Sequence, residues 1–105
     1  MTRLSQSFPT DPPALVAFVT GAASGIGKVT AQLFAEQGAN VLVADINETA
    51  GEAVASEIGD AARFIPLDVT SESGWQSALE KARTAFGGVN ILVNAAGISP
   101  GDNIE

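Results

Sequence analysis

The chain contains no cysteine, no histidine and no tyrosine, and each absence removes a chemistry. Without cysteine there is no disulfide, no thiolate nucleophile and no sulfur-ligated zinc. Without histidine the commonest proton acceptor and metal ligand of neutral pH is missing. Positive charge is also scarce: 5 Lys and Arg stand against 12 Asp and Glu, a formal net charge of -7 with an isoelectric point near 4.2. So acidic a chain is repelled by phosphate backbones and anionic lipid, and neither nucleic acid nor membrane is an expected partner. No apolar run in the sequence approaches the roughly 20 residues that a bilayer span requires.

Against these absences, 46% of the 105 residues are hydrophobic and the mean hydropathy is +0.24, the composition of a packed domain. One core of this size buries roughly two-thirds of the surface that the unfolded chain exposes. The first fourteen residues, MTRLSQSFPTDPPA, hold Pro9, Pro12 and Pro13 but no continuous apolar core; they predict a loose N-terminal arm and not a secretory signal. With no signal and no cysteine, the expected location is cytoplasmic.

Four short apolar runs follow: ALVAFVT (14–20), NVLVAD (40–45), RFIPLDV (63–69) and VNILVNAAG (89–97). They are nearly continuous instead of alternating, which fits parallel strands covered on both faces. Helical patterns separate them. The first places Ile26, Val29, Leu33 and Phe34 on one face and ends at Gly38. The second starts at Asn47 as N-cap, buries Ala50, Val54 and Ile58, and ends at Gly59, with Gly51 weakening it. The third starts at Thr70 or Ser71, buries Trp75, Leu79, Ala82 and Phe86, and ends at Gly87. This β-α-β-α-β-α-β order predicts an α/β fold with a parallel sheet and right-handed crossovers. Pro66 lacks the N–H that a ladder needs, so the third strand is expected at an edge. That agrees with a doubly wound, Rossmann-type sheet of order 3-2-1-4.

Between the first strand and the first helix lies TGAASGIG, in which Gly21, Gly25 and Gly27 have the spacing GxxxGxG. A strand-to-helix turn meets the positive end of the helix, where free N–H groups favour a phosphate and close approach favours residues without a Cβ. The common dinucleotide fingerprint GxGxxG is absent, and an ATP-binding GxxxxGK[ST] loop fails at Ala22 and Val29. The glycines alone are compatible with nothing more than a tight turn. A second signal is Asp45, which closes the second run about 20 residues on, near the distance at which a carboxylate reaches an adenosine ribose. A 2'-phosphate would meet its like charge and no loop arginine, so NAD is expected in preference to NADP. Asp68 and Asn94 end the third and fourth runs on the same sheet edge; as residue types they suit a ligand contact or a turn or cap equally well.

TGAASGIG (20–27), DVT (68–70) and LVNAAG (92–97), in this order and spacing, resemble the short-chain dehydrogenase/reductase family in its classical branch. The resemblance covers almost everything from about Leu15 to Ile98. It implies that Gly21, Ser24, Gly25, Ile26 and Gly27 cradle the cofactor, that Asp45 and the adjoining Ile46 meet the adenosine ribose, and that Asp68 with the Val69 backbone contacts adenine. It further implies that Asn94 and Ala95 belong to the sheet end beside the ribose and that Gly97 lets the cofactor pass. Ala95 stands where the family often has a second asparagine.

Members of the family are well over twice as long and carry an Asn-Ser-Tyr-Lys catalytic set downstream of the segment matched by LVNAAG. This chain has no tyrosine, Ser99 comes too early to be the family serine, and Lys28 and Lys81 lack a partner tyrosine, so no catalytic residue is assigned. The expectation is an N-terminal portion of a dehydrogenase. Residues 15–105 would form a partial NAD(P)-binding domain ending after the fourth strand, with that strand's apolar edge unpaired. The resemblance implies a parent that moves hydride between NAD(H) and an alcohol or ketone and that is homo-oligomeric. The alternatives are a non-catalytic nucleotide-binding module and a fragment without function.

Overall fold

Strands and helices alternate along residues 15–96, the part of the chain that the computed structural model describes. In order they are β1 (Val16–Thr20), α1 (Gly25–Glu36), β2 (Asn40–Asp45), α2 (Glu48–Ile58), β3 (Ala62–Pro66), α3 (Glu72–Phe86) and β4 (Ile91–Asn94). All strand pairs are parallel and the sheet order is β3-β2-β1-β4, the doubly wound Rossmann-type order expected from the runs and from Pro66. Pro66 is the last residue of edge strand β3, opposite Asp45. The proposed arm over 1–14 lies outside the described residues, as do Gly97 and Ser99.

Side chains of β1 alternate between two cores. Val16 and Phe18 meet Leu42, Ala44, Ile65 and Leu67 together with Ala78 and Ala82 of α3. Ala17 and Val19 meet Val41 and Val43 together with Ala31 of α1 and Val54 of α2. Thus α1 and α2 cover one face and α3 the other, as follows when a chain walks outward from β1 and then returns with crossovers of one hand.

Helix α1 is rotated relative to the sequence expectation. Its buried residues are Gly27 and Ala31, with Phe34 and Ala35 packed against the core, whereas Ile26, Val29 and Leu33 are 46%, 53% and 53% exposed. The cause is local. A Cβ on Gly27 would overlap the Gly21 carbonyl, so the smallest residue must face the sheet, and Ala31 and Phe34 follow on the same stripe at helical spacing. The larger apolar residues are turned outward.

The other helices keep their expected ends. The Asn47 side chain accepts from the Ala50 N–H at 3.0 Å and Ser71 Oγ from the Gly74 N–H at 3.0 Å, each satisfying an orphan donor of the first turn. Gly59 and Gly87 end α2 and α3. Gly51 does more than weaken α2: it is buried, and the Phe64 ring occupies the space that a side chain there would need. In α3, Ala78 and Ala82 are the buried pair and Leu79, expected inside, is exposed because it sits one position off that stripe. On β4, Ile91 and Val93 pack inward, Leu92 is 56% exposed, and the described sheet pairs this strand with β1 alone.

Candidate functional site

The carboxyl ends of all four strands meet around a cleft of about 180 Å³. Gly21 enters from the end of β1, Asp45 and Ile46 from β2, Leu67, Asp68 and Val69 from β3, and Ala96 from the segment after β4. Of the residues expected from sequence, Gly21, Asp45, Ile46, Asp68 and Val69 therefore share one cavity. Ser24, Gly25, Ile26 and Gly27 form the entry to α1; Asn94 ends β4, exposed and bonded to Thr20, and Ala95 after it is buried. Gly97 falls outside the described residues.

Two of the glycines are required by backbone packing. Gly21 has φ +66°, and a Cβ there would lie 2.7 Å from Ala96 Cα and 2.8 Å from Ala96 N. Gly27 lies directly beneath the Gly21 carbonyl. The loop is folded back on itself so that strand end, helix start and the chain after β4 touch main chain to main chain.

The entry to α1 differs from those of α2 and α3. Ser24 occupies the N-cap position with extended backbone, but its side chain makes no capping bond, and the first turn holds no acidic residue. In contrast, Asn47 and Ser71 cap their helices, with Glu48 and Glu72 in the first turns. First-turn N–H groups of α1 thus keep their donor capacity and the positive helix end is not neutralised from within.

Asp45 ties this loop to the sheet: Oδ2 accepts from the Ala23 N–H at 3.0 Å and Oδ1 from the Asn47 N–H at 2.9 Å. Each carboxylate oxygen accepts more than one bond, so further donors can be received. Asp68 Oδ1 accepts from the Thr70 hydroxyl at 2.6 Å and the Thr70 N–H at 2.9 Å. Those two bonds, the hydroxyl's first, hold the carboxyl below its ordinary value of 3.8.

Behind the cleft, Thr20 is fully buried; its hydroxyl donates to Asn94 Oδ1 at 2.8 Å and accepts from the Ala96 N–H at 3.3 Å. This links β1 to β4 and sets the Ala96 backbone against Gly21. Sequence reasoning missed Thr20, Leu67, Ala96 and the Ala23 contact. The position of Thr20 directly before Gly21 was the available signal; the backbone contacts of Ala23 and Ala96 leave none, since no side chain makes them.

A family model described as short chain dehydrogenase matches residues 15–105. The chain is 48% identical over 82 residues to 3-hydroxyacyl-CoA dehydrogenase type-2 of Drosophila melanogaster, covering 78% of this chain and 32% of that protein. It is 47% identical over 83 residues to 3-alpha-(or 20-beta)-hydroxysteroid dehydrogenase of Mycobacterium bovis, covering 79% and 32%. Among solved structures, 3-ketoacyl-(acyl-carrier-protein) reductase from Brucella melitensis complexed with NADH is similar at a TM-score of 0.74 and 42% identity, covering 76% of this chain and 33% of that one. The chain spans about a third of the length of these relatives.

Proposed function

Because this chain belongs to the short-chain dehydrogenase family, we propose that it is the part of an oxidoreductase that grips the adenosine diphosphate half of NAD. The observation that carries this reading is the Asp45–Ala23 bond, which joins a strand-end carboxylate to a glycine loop whose helix start is uncapped. A pyrophosphate suits the first-turn N–H groups of α1, entered through Ser24, Gly25, Ile26 and Gly27. The free acceptor capacity of Asp45 suits the two hydroxyls of a ribose, with Ile46 alongside. Asp68 and Val69 form the wall for the base, and Asn94 and Ala95 continue the sheet end on the ribose side. The close fit of Gly21 against Ala96 leaves the main chain as the surface that a cofactor would meet.

NAD is preferred to NADP because the group facing the ribose is an anion and the loop from Thr20 to Gly27 contains no basic residue. When bound, the nicotinamide supplies hydride chemistry toward an alcohol or ketone. This chain's contribution is to bind and orient the other end of the molecule. Calorimetric titration of the chain with NAD and NADP tests the reading. Asp45→Ala removes a charged acceptor, so NAD affinity falls about 10- to 100-fold and the discrimination against NADP narrows. Unchanged affinity for both cofactors refutes the assignment.

A further inference from the structure

The chain has one tryptophan, and it lies outside the cleft yet is bonded to it. Trp75, in the first turn of α3, stacks on the buried Phe18 ring with centroids 5.6 Å apart and planes 27° apart. Its indole Nε1–H donates to the Val69 carbonyl at 2.9 Å. That carbonyl belongs to the peptide unit joining Val69 to Thr70, whose N–H donates to Asp68 Oδ1 at 2.9 Å. A peptide unit is planar, so holding its two ends fixes its orientation. The C=O is anchored through Trp75 to the core, and the N–H in turn directs the carboxylate that lines the cleft. With Oδ1 taken by Thr70, no described residue donates to Asp68 Oδ2.

We propose that Trp75 is a positioning residue for the nucleotide base, acting through the Val69–Thr70 peptide to aim Asp68 Oδ2 at the exocyclic amine of adenine. This inference rests on the nucleotide reading above. Its content is selectivity: an aimed carboxylate accepts from the amine of adenine and repels the carbonyl that hypoxanthine carries at the same ring position. Trp75→Phe keeps an aromatic ring against Phe18 while deleting the N–H that holds the peptide together with part of the indole's bulk, and the second ligand separates the two effects.

The experiment is calorimetric titration of the chain and of Trp75→Phe with ADP and with inosine diphosphate. The variant is expected to lose about 3- to 10-fold in ADP affinity, the worth of one hydrogen bond, while its affinity for inosine diphosphate stays within about 2-fold. A parallel loss for both ligands signifies a merely structural role and overturns the proposal, as does no loss for either. If the unsubstituted chain binds neither ligand, the nucleotide reading fails and this inference fails with it. Should Trp75→Phe not fold, the unsubstituted chain supplies the second measurement, because its single indole N–H yields one resonance. Saturation with ADP is expected to shift that resonance more than saturation with inosine diphosphate, and a resonance equally placed in both complexes overturns the proposal.

Discussion

Replacing Gly27 with alanine sets two opposing effects of known size against each other. In an exposed helix interior the change stabilises by about 1 kcal/mol, because alanine loses less backbone entropy than glycine. Here the new methyl would overlap the carbonyl group of Gly21 and stand 3.1 Å from Ala22 Cα, and all of these are main-chain atoms with no rotamer to change. Relief requires α1 to lift from the sheet or the loop to open, and overpacking of this kind costs about 1–3 kcal/mol, at the upper end where backbone must move. The net loss is therefore about 1–2 kcal/mol. For a domain of this size that corresponds to a fall in Tm of roughly 4–16 °C. The assay is thermal unfolding followed by far-UV circular dichroism, with NAD titration of the folded variant to read the loop separately. A Gly27→Ala chain as stable as its parent, or more so, would refute the claim that close packing, and not helix propensity, governs this position.

Further outcomes are expected elsewhere in the fold. Thr20→Val removes the hydroxyl that bonds Asn94 Oδ1 and the Ala96 N–H; both residues are exposed and water can take its place, so denaturant unfolding should register a loss of about 0.5–1.5 kcal/mol. The rotated phase of α1 predicts that Val29→Lys changes stability by no more than about 0.5 kcal/mol, whereas Ala31→Leu overfills the core and costs about 1–3 kcal/mol in the same measurement. Asp68 should titrate below 3.8 by carboxyl NMR, and Thr70→Val, which removes the larger of the two causes, should move its midpoint upward. Since the folded value is the lower one, the contribution of Asp68 to stability is complete above pH of about 4 and is lost as pH falls through the folded midpoint.

Much of the architecture was legible because its signals are local. Asn47, Ser71, Gly59 and Gly87 act within one turn of chain, and Pro66 excludes itself from a central ladder by lacking an N–H. The runs read as strands extended two to three residues beyond the ladders in β3 and β4, since apolar residues that pack beyond the last hydrogen bond, such as Leu67 and Val89, look the same in sequence. The phase of α1 was not legible. Hydrophobicity placed Ile26, Val29 and Leu33 inward, but a main-chain contact between residues 21 and 27 decided the rotation, and no periodicity encodes that contact. The same holds at the cleft. Asp45 and Asp68 announce themselves as carboxylates at strand ends, while the amides of Ala23 and Thr70 that orient them belong to residues whose side chains say nothing of their backbone bonds.

The central position of β1 also gives its two pairings unequal loop-closure costs. Its partners on β2 lie 24 positions away in the chain, as with Val16 and Asn40, and those on β4 lie 74 away, as with Ala17 and Ile91. Closing the longer loop costs about 1 kcal/mol more entropy, so the pairing of β1 with β4 is the costlier of the two. The Thr20–Asn94 bond and the contact of Ala96 with Gly21 both require β4 in place. The cleft therefore depends on the costlier pairing, and a ligand that requires all four strand ends stabilises β4 in the sheet by binding only the closed form.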